Sequence, residues 1–230
     1  MQPHYTRHVG QKFYENGEAR PFAGNSIICP VPGSSHTMKK LIQLRNSILK
    51  ESWHTHFALL PPASYHMTIF DLLCDQVRVP EHWSDALRLD ESLQVVDTFV
   101  IDSWLTLSPP PYIAVRFRSL EIGEFITIRL EPEDQNVHRQ MRLYRDLLSE
   151  AFHIRHPNHE DYYFHISMAY AITSLSEEEQ ANANDSITAW ESVLKQELSS
   201  VDLLPPRLTF FADMTHFSLR REVNQAAFTR

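Results

Sequence analysis

A displacement of 99 residues constrains this chain more than any other feature. Slid against itself by that distance, the sequence superposes strand, helix, loop and strand without a gap. Ile27 falls on Ile126, Met38 on Val137, Ile42 on Met141, Leu44 on Leu143 and Leu49 on Leu148. The same shift carries His66 onto His165 and Thr68 onto Ser167. Identity across the repeat is low, but the order and spacing of the units are kept. A repeat of this size calls for two halves that each bury one face of a sheet under helices.

Two stretches lie at the equivalent ends of the units, Ser64-Tyr65-His66-Met67-Thr68-Ile69-Phe70 and Tyr163-Phe164-His165-Ile166-Ser167-Met168-Ala169. Their aromatic and β-branched content reads as buried strand. Side chains alternate along a strand, so His66 and Thr68 share one face, and His165 and Ser167 share another. The apolar residues between them face the core. The same His-x-Ser/Thr spacing occurs at His4/Thr6, His82/Ser84 and His216/Ser218. None of these is preceded by the repeated unit; His216 is the strongest rival.

The remaining elements are read from periodicity and punctuation. Residues 1–21 form a polar arm on the surface. A strand over 22–31 ends at Pro30-Val31-Pro32-Gly33, and Ser34 or Ser35 caps a helix to about 52. Strands follow at 53–60 and 64–73, then a short helix from Pro80 to Leu89. Three strand-like runs cover 94–107, 112–119 and 122–130, punctuated by Pro109-Pro110-Pro111 and Gly123. A helix spans 134–152 with Val137, Met141, Tyr144, Leu148 and Phe152 as its buried stripe. The second His strand is 162–172. Ser176-Glu177-Glu178-Glu179 opens a third long helix as a capping box, and a final strand runs from 208 to about 219. The expected fold is therefore α+β: a single domain over 1–230, with one lobe at about 22–90 and the other at about 94–220.

Composition removes several classes of function. Only five glycines are present, with neither a P-loop nor a GxGxxG. A net charge of −8 argues against a broad dock for duplex DNA. No apolar run is long enough to cross a membrane, and no secretory signal opens the chain. Cys29 and Cys74 lie far apart without a CxxC, which fits a reducing compartment, cytoplasmic or nuclear.

Two histidines on facing strands suit general acid–base work on a phosphodiester. One imidazole takes a proton from water and the other gives one to the leaving oxygen. A hydroxyl two residues on can bond a phosphate oxygen. His66-Met67-Thr68-Ile69 and His165-Ile166-Ser167-Met168 resemble the paired signatures of the two-histidine (2H) phosphoesterase superfamily. That superfamily includes bacterial RNA 2',3'-cyclic phosphodiesterases of the LigT type, plant cyclic phosphodiesterases and the phosphodiesterase domain of tRNA ligases. The stretches Pro21-Phe22-Ala23-Gly24-Asn25 and Arg155-His156-Pro157-Asn158-His159 resemble an uncharacterised bacterial and fungal branch of it. The resemblance covers roughly residues 10–220. It implies two lobes of antiparallel sheet backed by helices, related by a pseudo-twofold axis with the active cleft between them. It further implies His66 and His165 as the catalytic pair, and Thr68 and Ser167 as phosphate ligands. The long arm and the extra C-terminal helix and strand depart from better-known members.

Other residues have weaker claims. Tyr163 shares the strand face of His165 and could stack on a base, or simply pack at a strand end. Arg116, Arg118, Arg129, Arg139, Arg142, Arg145 and Arg155 fall in a stretch without lysine. Arg155, in the loop feeding the second His strand, is the preferred phosphate contact among them. His54 and His56 could support His66 from a neighbouring strand. His153, His156, His159 and Asp161 have the donor types for zinc, but their loop contains Pro157 and no HExxH is present. No cofactor and no metal are therefore expected. The expected partner is a small cyclic nucleotide or an RNA 3'-end, with a monomer as the working state.

Overall fold

In the computed structural model, residues 4–220 are described. Strand β1 (Gly24–Pro30) leads to helix α1 (His36–Ile48), then to the short β2 (Phe57–Leu59) and to β3 (His66–Cys74). Helix α2 (Leu93–Leu105) precedes the hairpin β4 (Val115–Ile122) and β5 (Phe125–Pro132). Helix α3 (Gln135–Phe152), β6 (His165–Ala171), α4 (Glu177–Glu197), β7 (Arg207–Asp213) and β8 (His216–Ser218) complete the chain.

The strands form one curled antiparallel sheet in the order β4-β5-β6-β3-β1-β7-β8, with β2 pairing β6. The 99-residue repeat is visible in it. The sheet reads outward from its middle as β3-β1-β7 on one side and β6-β5-β4 on the other. Ser35 caps α1 by accepting from the Met38 N–H, and Asp134, 99 residues later, caps α3 by accepting from the Val137 N–H. The expected α+β fold of two pseudo-symmetric lobes is what the chain adopts. The lobe boundary is different, however. β7 and β8 return across the molecule to extend β1, so the first lobe's sheet includes residues beyond 200.

The lobes meet along a narrow seam. β3 and β6 share one registered pair, Met67 opposite Ile166. Beyond it the strands are held by other groups. The Arg145 guanidinium, from α3, donates to the Ile69 carbonyl, and His156 donates to the Asp71 carbonyl. Behind the seam, Ile27, Met67, Phe70, Ile166 and Met168 pack with Leu41 and Ile48 of α1 and Leu148 and Phe152 of α3. Each such side chain contributes about 1.5–3 kcal/mol of burial.

Five local expectations are corrected. Residues 94–107 are not a strand but α2. Ser92 accepts from the Val95 N–H, and Val96 and Val100, one turn apart, are the buried residues. The cap and the four-residue spacing override the β-branched composition. Residues 52–56 form a 3-10 turn before β2, and 80–82 form another where a helix to Leu89 was expected. The final strand is two, broken where the Asp213 carboxylate accepts from the Thr215 N–H at 2.7 Å. The N-terminal arm is not superficial: Phe13 and His8 are buried, and His8 packs on Phe125 and Tyr170.

Candidate active site

The tetrads sit on the two strands that form the seam. Extending the Met67–Ile166 register by one residue each way sets His66 opposite Ser167 and Thr68 opposite His165. Residues directly opposite on antiparallel strands share a face. The four polar side chains therefore make a small rectangle, with each imidazole beside the other strand's hydroxyl. The histidines occupy its diagonal, where neighbours are about 7–8 Å apart. Met67 and Ile166, pointing the other way, are fully buried.

Both tetrads end in a β-bulge. Ile27 pairs Phe70 and Ile28 pairs Thr68, which leaves Ile69 as the extra residue of β3. Ile126 pairs Ala169 and Thr127 pairs Ser167, which leaves Met168 as the extra residue of β6. Bulges re-aim the side chains that follow them. In β3 the result is that Asp71, opposite Ser26, joins the face of His66 and Thr68. Its exposed carboxylate acts on both imidazoles. The equivalent position in β6 is Tyr170, which the arm covers through His8 and Phe13.

The two imidazoles are held in the same way. His66 Nδ1–H donates to the Ser64 carbonyl at 2.7 Å, and His165 Nδ1–H donates to the Tyr163 carbonyl at 3.1 Å. A carbonyl can only accept, so Nδ1 carries the proton and Nε2 is left free to take or give one. Burial depresses both pKa values. His66 is pushed down to about 4 by burial and by His165, against the Ser64 carbonyl and Asp71. His165 is lowered by burial and by Arg129, against the Tyr163 carbonyl, Asp71 and Glu121. The resting site holds two neutral imidazoles at neutral pH.

The flanks differ. His66 faces Pro30 on β1, and the Phe217 ring of β8 lies 4.3 Å from its imidazole. His165 faces Arg129 on β5. The Arg129 guanidinium lies 3.5 Å over the Tyr163 ring and pairs with Glu121 of β4 at 2.7 Å. Tyr163 is 56 % exposed, with its ring centroid 6.2 Å from that of His165. Thr68 bonds the side chain of Tyr162, a buried phenol lying beneath the Arg145 guanidinium.

The structure thus brings His66, Thr68, His165, Ser167 and Tyr163 together. It does not bring Arg155 to them. That side chain is exposed and paired with Asp146 and Glu160, because two carboxylates flank it in its own loop and on α3. His54 bonds the Glu51 carbonyl, and His56 lies between Thr173 and Glu179. Neither histidine supports His66. His216 is exposed at the edge of the sheet, and it is its neighbour Phe217 that reaches the site. The loop histidines are structural as well. His153 pairs with Asp85, His156 bonds His82 and Asp71, and His159 bonds Asp146. Asp146, His159 and Glu160 have ligand atoms within 4.8 Å of one another, but Arg155 already bridges the two carboxylates.

Arg129, Asp71 and Tyr162 were not singled out from the sequence. Arg129 stood undistinguished among seven arginines, although the 99-residue shift sets it on Pro30, the residue opposite His66. Asp71 gains its direction from a bulge, which leaves no mark in the sequence pattern.

The first of the two tetrads lies within a known family's span. The family named 2H-phosphodiest, described as a domain of unknown function (DUF1868), matches residues 12–123. That segment is just under half of the chain and contains His66. Among solved structures, a conserved protein of unknown function, ATU0111 from Agrobacterium tumefaciens, superposes with a TM-score of 0.88 at 26% identity. The match covers 95% of this chain and 92% of that one, so the second lobe is shared as well. TT0787 of Thermus thermophilus matches with a TM-score of 0.41 at 14% identity, over 66% of this chain and 76% of its own. No curated protein matches the chain. Among the described residues, no helix is long and apolar enough to cross a membrane.

Proposed function

We propose that the chain is a phosphoesterase that hydrolyses a small cyclic phosphate by paired-histidine acid–base catalysis. The reading rests on one observation: two His-x-Thr/Ser tetrads meet at a seam with both Nε2 atoms free and each imidazole beside a hydroxyl. A phosphate seated on the rectangle accepts hydrogen bonds from Thr68 and Ser167 through two non-bridging oxygens. One imidazole Nε2 takes a proton from a water, whose oxygen bonds to phosphorus. The ring P–O bond breaks, and the leaving oxygen takes the Nε2 proton of the other imidazole. One water is consumed, and solvent exchange returns the pair to its starting state. No step uses a metal or a cofactor.

The depressed pKa values give the arriving phosphate a part in this cycle. Its negative charge favours one imidazolium, so binding takes up a proton and arms the acid. Two carboxylates, Asp71 and Glu121, favour the charged form of His165, whereas only Asp71 does so at His66. His165 is accordingly assigned as the acid and His66, under Phe217, as the base. The candidate substrates are a 2',3'-cyclic nucleotide, an RNA 3'-end or a cyclic phosphate of ADP-ribose.

Screening these compounds with the purified protein, with and without chelator, tests the activity. An aryl phosphodiester, whose leaving group needs no proton, tests the roles. His165→Ala should recover turnover on it and His66→Ala should not; the opposite pattern reverses the assignment. The same pair of neutral imidazoles also suits a sensor that binds nucleotides without turning them over. Tight nucleotide binding with no hydrolysis on long incubation would favour that role.

A further inference from the structure

On the face that carries the histidine pair, the strand beside His165 presents a guanidinium where the strand beside His66 presents a proline. Moving across the sheet from His66, the side chains on this face run to His165, then to Arg129 on β5, then to Glu121 on β4. Next along, Arg116 pairs with Glu131, its partner in register, at 2.7 Å. On the opposite flank the equivalent of Arg129 is Pro30, with Phe217 above. A phosphate between the imidazoles thus has a hydrophobic wall on the His66 side and a guanidinium on the His165 side.

Arg129 is held ready by weak partners. Its side chain is 19% exposed, while that of Glu121 is 49% exposed. A half-solvated carboxylate at a surface contributes little to an ion pair. A phosphoryl group offers the guanidinium more charge and a bidentate geometry. The Tyr163 ring, 3.5 Å beneath, keeps the guanidinium plane over the cleft when Glu121 lets go. Arg129 and His165 face each other across adjacent strands, and the reacting phosphate lies toward β3. An anion on Arg129 is therefore one to two strand spacings, about 5–10 Å, from that phosphate.

Resting on the proposed cyclic-phosphate reading, we infer that Arg129 is a specificity-determining residue. It binds a second phosphoryl group of the substrate on the His165 flank, and Glu121 holds the guanidinium in place until that group arrives. The substrate class narrows to nucleotides bearing two phosphoryl groups: an oligonucleotide end or a mononucleotide with a phosphate at each end. A nucleoside cyclic phosphate with no other charge is the poorer ligand.

Binding, not turnover, tests this. Calorimetry on the full chain compares adenosine 3'-phosphate with adenosine 3',5'-bisphosphate. The bisphosphate should bind tighter on the order of tenfold to a hundredfold, the range of charge-assisted hydrogen bonds. Arg129→Gln should abolish that difference, the bisphosphate affinity falling much further than the monophosphate affinity, and Arg129→Lys should keep part of it. Glu121→Gln, which frees the guanidinium, should widen it. Equal binding by the native protein, or an undiminished difference in Arg129→Gln, overturns the inference. If the preference is present and cyclic phosphates are not hydrolysed, the catalytic reading fails and this one stands. If neither nucleotide binds, both fall.

Discussion

The surroundings of His66 and His165 are the two regions most worth setting side by side. Backbone and tautomer match: same strand position, same carbonyl two residues back, same bulge three residues on. The contacts do not. Pro30 and Phe217 dry out one imidazole, while Arg129, Glu121 and Tyr163 surround the other with charge. Asp71 on β3 is open to solvent, and its counterpart Tyr170 is sealed by the arm. The scaffold supplies the symmetry a phosphorus atom needs. The flanks make two chemically identical groups unequal, as the proposed division into acid and base requires.

Replacing each histidine by alanine is the severest test of that comparison. Either change should cost about 10²–10⁴-fold in kcat on a cyclic phosphate, the range of general acid–base catalysis. An undiminished rate in one variant would leave only the other as a working residue. Thr68→Ala and Ser167→Ala come next, each with a loss of about 10–100-fold in kcat/KM. The Tyr162 side chain bonds Thr68, so Tyr162→Phe should lower the rate in native protein and have a smaller effect in a Thr68→Ala background.

Acid should expose the buried imidazoles. His66 and His8 both have their pKa lowered to about 4, burial being the main cause. Each binds protons more weakly folded than unfolded. Their contribution to stability is complete above the unfolded value of about 6.5 and is lost as pH falls toward 4. His8→Phe should flatten the fall in Tm across that window; an unchanged slope would show that His8 is not responsible. The smallest effect separates scaffold from site. Ser35→Ala and Asp134→Ala, the equivalent helix caps, should each cost about 1 kcal/mol in denaturant unfolding, with catalysis unaltered.

How far the sequence discloses this molecule depends on which interactions are local. The repeat, α3, the capping box at Ser176 and the face shared by His66 and Thr68 all follow from spacing within one element. Each was legible for that reason. Residues 94–107 misled because valine, isoleucine and phenylalanine favour strands, while the Ser92 cap and the Val96–Val100 spacing decided for a helix. Arg129 and Arg155 show the other limit. Arg155 lies ten residues before His165 and Arg129 thirty-six, yet only cross-strand register reveals that the distant one faces His165 while the nearer is tied to Asp146 and Glu160. Long-range pairing also hid the return of β7 and β8 to the first lobe.

The surplus residue after Thr68 makes β3 behave like a text with an inserted letter. Everything downstream is read in a shifted frame, and the Asp71 carboxylate meets solvent because of it. Deleting Ile69 would remove the bulge and leave Asp71 opposite Ser26, on the same face as His66 and Thr68. Drawing Ile69 into the regular pleat would instead turn that carboxylate toward the helices, so it is the unpaired residue that sets where the charge sits.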